Sequence, residues 1–124
     1  MTRMNQRGAA TVELAASIPL LTFMAVLLVQ AAIVMVDQLA VVQASREAAR
    51  IAAVNPSKED VVAAARNATD LNPSQLRVEV GERGEIGQLV QVRVSYQSRV
   101  LVPFTGAELL KPTLTARAAM AVET

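Results

Sequence analysis

The sequence predicts an α+β fold: a long N-terminal transmembrane helix continues into a small domain with a second helix packed on a three-stranded antiparallel meander. Three observations support this fold. An apolar run covers residues 9–36, an Ala-rich stretch without Gly or Pro covers residues 37–54, and the C-terminal half alternates between apolar and polar residues.

The apolar run is long enough to cross a membrane, and its only charged residue is Glu13. A bilayer core of about 30 Å needs about 20 apolar residues, so this run predicts a tilted or overhanging helix. Arg3 and Arg7 precede the run, and Asp37 follows it. The positive-inside rule therefore predicts a cytoplasmic N-terminus and a domain at residues 37–124 outside the membrane.

Small residues recur every four positions beyond the membrane segment, on one helical face. They are Ala40, Ala44, Ala48 and Ala52. Two interpretations stay open for this stripe. It packs against the chain's own domain, or it forms a helix–helix seam where another backbone approaches closely.

Asn55 and Pro56 end the first helix, because proline disfavours helical backbone at the residue before it. Ser57 is a good N-cap for a second helix over residues 57–70. Three strands follow, at about residues 75–81, 88–101 and 113–122, and Pro103 and Gly106 interrupt the pattern between the last two. The outer part of the first helix and the second helix are the available covers for the apolar face of the sheet.

Composition excludes several classes of chemistry. The 124 residues include no Cys and no His, which removes disulfides, thiol nucleophiles and imidazole acid–base catalysis. A net charge of +1 with both signs interspersed argues against a nucleic-acid surface. The acidic residues near the outer domain form no spaced pair beside an apolar cleft, so we expect no enzyme, cofactor or metal; they are Asp60, Asp70, Glu79, Glu82 and Glu85.

The stretch from Arg7 to Leu14 resembles the prepilin processing site of type IV pilins and pseudopilins. The resemblance implies that a prepilin peptidase cleaves between Gly8 and Ala9, which makes residues 1–8 a leader and Glu13 the fifth mature residue. It also implies that Glu13 faces the new amino group of Ala9 in a neighbouring subunit. A carboxylate near the membrane interface that simply reaches water is the alternative.

The resemblance extends to the TadE-like pilus-assembly proteins, minor pseudopilins of the tight-adherence (Tad, or Flp) pilus. Three stretches carry it: Gly8-Ala9-Ala10-Thr11-Val12-Glu13-Leu14-Ala15, Pro19-Leu20-Leu21, and Ala44-Ser45-Arg46-Glu47-Ala48-Ala49-Arg50. Leu14 departs from the group, in which an aromatic residue often follows the glutamate. The resemblance implies a subunit in the bacterial cytoplasmic membrane, and later in the pilus, where it helps to initiate or tip the fibre. The implied partners are the prepilin peptidase, other Tad minor pseudopilins, the Flp major pilin and the lipid bilayer.

The runner-up hypothesis is a signal-anchored or secreted small extracytoplasmic protein unrelated to pili. Its apolar run would be a signal sequence, although the run exceeds the usual 7–15 residues of such a segment. Small residues between Ala40 and Ala53 would then offer the cleavage site. Position in the fibre, stoichiometry, and a role in adhesion, DNA uptake or sensing are open at this stage.

Overall fold

A computed structural model describes the backbone of residues 2–101 and 108–123 and the side chains of residues 6–99 and 111–123. Two helices, a short 3-10 turn and five strands follow one another along the chain. They are α1 (Thr2–Val54), α2 (Lys58–Asn67), the 3-10 turn (Pro73–Gln75), β1 (Leu76–Val80), β2 (Leu89–Gln97), β3 (Val100–Leu101), β4 (Glu108–Leu110) and β5 (Thr113–Ala121).

Helix α1 is one continuous helix of 53 residues that runs through Pro19 without interruption. Proline removes the hydrogen bond that its nitrogen would donate to the carbonyl of Ala15. The hydroxyls of Ser17 and Thr22 donate instead to the carbonyls four residues before each of them, at 2.8 and 2.9 Å. Neither hydroxyl therefore bonds to the Ala15 carbonyl, which the proline leaves without its usual donor.

Strands β1, β2 and β5 form an antiparallel sheet in the order β1-β2-β5, which confirms the predicted three-stranded arrangement. The register pairs Val78 with Val94 and Val94 with Ala116. Period-two alternation therefore collects the apolar side chains of all three strands on one face. The three central valines of β2 on this face are completely buried; they are Val90, Val92 and Val94.

A second, two-stranded sheet of β3 and β4 is inserted between β2 and β5. The sequence predicts one strand over residues 88–101, whereas the structure ends β2 at Gln97 and begins β3 at Val100. The predicted interruption at Pro103 and Gly106 lies outside the described residues. Only Ser98 and Arg99 separate β2 from β3, and the buried Ser98 continues the period-two alternation, so alternation alone did not reveal the break.

The core lies between the apolar face of the sheet and the outer half of α1, with α2 packed beside them. From α1 it takes small residues, including Ala44, Ala48 and Ala52. From α2 it takes Val61 and Ala65. Alanines let the helix backbone approach the sheet closely, which explains how a chain with only 2% aromatic residues fills its core.

Polar contacts fix the outer half of α1 at both of its ends. Near the start of this half, the buried Ser98 hydroxyl donates to the Asp37 carboxylate at 2.8 Å. At the far end, the guanidinium of Arg83 donates to the carbonyls of Ala52 and Ala53 at 3.2 and 3.1 Å. The last four carbonyls of a helix lack helical partners, and Arg83 donates to two of them from a loop 30 residues away. The Glu123 amide also donates to the Ala53 carbonyl, at 2.9 Å.

The loop that carries Arg83 depends on glycine at two points. A side chain on Gly81 would place its Cβ 2.9 Å from the backbone oxygen of Gln91, so the β1–β2 contact needs a glycine there. Gly87 has φ of +91°, in the left-handed region that favours glycine.

Candidate assembly site on the N-terminal half of helix α1

The three residues of the predicted processing site lie on α1, where no other part of the described chain packs. Gly8, Ala9 and Glu13 are all exposed. Ala9 and Glu13 are four residues apart and therefore share one face of the helix. Helical side chains lean toward the N-terminus, which brings the Glu13 carboxylate toward the level of Ala9.

Glycine at position 8 has no structural explanation within the chain. A Cβ built there meets no atom within 4 Å, and its φ lies outside the left-handed region. A glycine inside a helix costs about 1 kcal/mol relative to alanine. Packing within the described chain therefore gives no reason for a glycine at this position.

Glu13 differs from the neighbouring hydroxyl residues in its hydrogen bonding. The neighbouring hydroxyls of Thr11, Ser17 and Thr22 donate to helix carbonyls at 2.8–2.9 Å, so each satisfies its hydrogen in the same helix. The Glu13 carboxylate makes no hydrogen bond or ion pair with any described residue. It is the one carboxylate between residue 6 and Asp37.

Two carboxylates therefore bracket an uncharged stretch, residues 14–36. A helix over these residues is about 34 Å long at 1.5 Å per residue, close to the roughly 30 Å core of a bilayer. The side chains of this stretch are exposed or only half-buried. The helix is thus long and apolar enough to span a membrane once, and none of its most apolar window packs against the domain.

The alanine stripe of the outer half lies against the chain's own sheet. Ala44, Ala48 and Ala52 are buried in the core, and Ala40 is half-buried. Packing within the domain therefore explains three of these four small residues. A seam with a second chain at the same residues stays an untested prediction.

Arg46, Glu47 and Arg50 lie on the surface of α1 around this stripe. Arg50 donates to Glu47 in a two-point contact, at 2.6 and 3.2 Å. The hydrogen bond from Arg50 lowers the pKa of Glu47 below its usual value, and the same bond raises the pKa of Arg50. Because both side chains are largely in water, the pair is a surface salt bridge of small energetic weight.

The acidic residues of the outer domain do not converge. Within residues 6–99 and 111–123, no group of three or more carboxylates could hold a metal ion. Glu79 lies near Arg93 at 3.9 Å on the exposed face of the sheet, and Asp60 accepts a hydrogen bond from the Asn55 amide at 2.7 Å. These contacts are structural.

The fold and the site together define a class of protein, a single-pass α+β membrane protein. The half of its helix that is long enough to span a membrane does not pack on the described domain. Near its start this half carries an acid without a partner among the described residues. The family model described as TadE-like protein matches residues 8–50, so this segment of the chain is similar to the TadE-like proteins. The match starts at Gly8 and ends at Arg50, and so contains the candidate site and the Ala-rich stretch. It supports a protein associated with the Tad pilus, in a family of structural components. No curated protein and no solved structure matches the chain.

The sequence interpretation missed the two residues that hold α1 on its domain, Arg83 and Ser98. Arg83 lies between the predicted strands at residues 75–81 and 88–101, and Ser98 lies within the second of these strands, so neither was predicted to contact α1. Both act over long range, on residues 30 and 61 positions away. No local pattern in the sequence predicts such contacts.

Proposed function

We propose that the chain is a minor pilin or pseudopilin of a Tad-type pilus, cleaved by a prepilin peptidase between Gly8 and Ala9. The mature subunit then enters the pilus through its N-terminal helix and helps to initiate or tip the fibre. One observation carries the proposal: Gly8 and Glu13 are the unusual residues of α1. A Cβ at Gly8 would meet no described atom, and the Glu13 carboxylate has no described partner.

The glycine suits the cleavage step. A peptidase must bind the scissile backbone closely, and a residue without a side chain allows this. Gly8 lies on the face of an unpacked helix, so a peptidase reaches it without unfolding the domain. The domain begins more than 20 residues further along the chain, at Asp37.

The carboxylate suits the assembly step. A charged carboxylate within a bilayer costs about 2.5–3.5 kcal/mol at mid-depth and less near an interface. Cleavage creates an amino group at Ala9, one helical turn from Glu13. A neighbouring subunit shifted by about one turn or less along the helix axis brings its amine to this carboxylate. The pair removes part of the cost of the charge and favours a subunit in contact with another subunit over one alone in lipid.

A variant at the glycine tests the cleavage step. Gly8→Leu should accumulate as the longer, uncleaved form in the native membrane, detected by the intact mass of the purified chain. Ala10→Leu is the matched control, because Ala10 is also exposed on the same turn of α1. Normal maturation of Gly8→Leu would contradict cleavage by a prepilin peptidase at this site.

Zero-length cross-linking of carboxylates to amines tests the pairing step in isolated pili. An amide between Glu13 and the N-terminal amine of a different chain supports the proposal. A link found only between Glu13 and the amine of its own chain would contradict it. Mixing isotopically light and heavy cultures distinguishes the two results whenever the neighbour is another copy of this chain.

A further inference from the structure

Strand β5 lies at one edge of the three-stranded sheet. It pairs with β2 on one side, and no described strand pairs with the other. The amide of Val122 donates to the carbonyl of Gln88 at 2.8 Å, which fixes the phase of the pairing. Even-numbered residues of β5 thus bond to β2, and the odd-numbered ones point their N–H and C=O groups away from the sheet. All five of these are exposed: Thr113, Thr115, Arg117, Ala119 and Ala121.

This edge lacks the devices that usually keep a strand edge from pairing. Natural edge strands are short, bulged, or carry proline or several charges. β5 pairs in unbroken register over its nine residues. It contains no proline, and its only charged residue is Arg117. The opposite edge, β1, is shorter, at five residues.

Arg117 gives the open edge a charge preference. On the outer face of the sheet, Arg117 lies directly across from Arg93, and Arg93 lies across from Glu79. Glu79 and Arg93 approach to 3.9 Å, so Arg93 has a carboxylate on its other side. Opposite charges across neighbouring strands are favourable and like charges are not. A carboxylate placed opposite Arg117 on an added strand would therefore give Arg117 a counter-ion.

A second copy of the chain fits this edge poorly. Two β5 strands that overlap along their full length in antiparallel orientation place Arg117 opposite Arg117. The β1 edge of a second copy presents the backbone groups of Val78 and Val80, whose side chains belong to the apolar face. Pairing them with β5 would put the apolar face of one copy in line with the polar face of the other.

We propose that β5 binds an extended segment of another protein by strand addition, with an Asp or Glu of that segment opposite Arg117. The partner is therefore a protein with an acidic edge strand or an extended acidic tail. Thr115 and Ala119 flank Arg117 on the same face and are small enough to admit side chains from the added strand. This inference concerns the outer domain and is independent of cleavage and of Glu13.

Binding of a short peptide to the full chain in lipid nanodiscs tests the proposal. The probe alternates Thr and Val around one central Glu, and its matched control carries Lys at that position. The Glu peptide should slow amide hydrogen exchange at Thr115, Arg117 and Ala119, and should bind about threefold to fivefold more tightly than the Lys peptide. Arg117→Glu should reverse this preference, whereas Arg77→Gln, on the exposed face of β1, should leave it unchanged.

Ala119→Pro supplies a second variant that keeps the fold. Its amide points away from β2, so proline there removes an edge donor and no bond of the native sheet. The variant should retain the exchange protection of β2 and lose peptide binding. The proposal is overturned if neither peptide protects the β5 amides, if both bind equally, or if protection appears with protein concentration alone. The last result would identify a second copy of the chain as the occupant. None of these outcomes bears on processing at Gly8.

Discussion

The inner and outer halves of helix α1 differ in how their side chains are packed, although both belong to one unbroken helix. Between residue 6 and Val36 the side chains are exposed or at most half-buried, and every hydroxyl of this stretch is satisfied within the helix. Between Val41 and Ala53 one face is buried under the sheet, and small residues let the backbone approach it. Packing within the domain therefore explains the buried face of the outer half, whereas no packing among the described residues explains the exposed apolar side chains of the inner half.

Glu13→Leu should have the largest effect of the changes considered, and the effect should be on assembly alone. The variant removes the only carboxylate of the inner half, so the proposed pairing with a neighbouring amine is lost. Pilus output should fall to background, while thermal unfolding of the outer domain stays unchanged. Ser17→Val is the control, because Ser17 bonds only within its own helix. Normal piliation with Glu13→Leu would leave the acid without its proposed role.

Ala48→Leu tests the difference in packing between the two halves of α1. Ala48 is completely buried, and overfilling a packed core costs about 1–3 kcal/mol of unfolding free energy. The same change at the exposed Ala31, in the inner half, should cost nothing measurable. Chemical denaturation of both variants in detergent micelles measures the difference. Equal stability of the two variants would contradict the packing described for the outer half.

Arg83→Gln should lower the unfolding free energy by about 1–2 kcal/mol, because it weakens the bonds to two helix carbonyls. Hydrogen exchange should locate the loss at the last turn of α1, near Ala52 and Ala53. Arg66→Gln, an exposed arginine at the end of α2, is the control and should change little. Unaltered exchange at the end of α1 would show that Arg83 does not cap it.

Glu47→Gln should have the smallest effect on the free energy of unfolding, and this effect should be present only above acidic pH. The bond from Arg50 holds the pKa of Glu47 below its ordinary value of 4.5 in the folded chain. The pair therefore contributes stability above the unfolded pKa, and the contribution is lost as pH falls through the lowered, folded pKa. Wild type and variant should differ slightly at pH 7 and converge as the pH falls through the lowered pKa of Glu47. A difference that grows on acidification would reverse the sign of this argument.

Much of the fold follows from local patterns that one sequence contains. The alternation at Val90, Val92 and Val94 indicates a strand with one buried face, and alanine every four residues indicates one packed side of a helix. The structure confirms the α+β arrangement built on these patterns. The division into a leader at residues 1–8, a span at 9–36 and a domain at 37–124 stays a prediction, because one continuous helix crosses both boundaries.

The features that sequence patterns did not reveal are contacts between distant residues. The insertion of β3 and β4, the Arg83 cap and the bond from Ser98 to Asp37 each depend on how separate elements meet in space. The candidate site shows the opposite case. Gly8 and Glu13 were identifiable from sequence because each is an unusual residue type for its segment. Among the described residues, the Glu13 carboxylate has no partner and a Cβ at Gly8 would have no neighbour.

The N-terminal residue of the wild-type chain, purified from its native cell envelope, tests the central claim most directly. The account predicts a chain that begins at Ala9, with its new amine one turn from Glu13. A chain that retains residues 1–8 would contradict it, because the amine would then lie two turns further from Glu13. A chain that begins near Ala44 would also contradict it and would support a secreted protein instead.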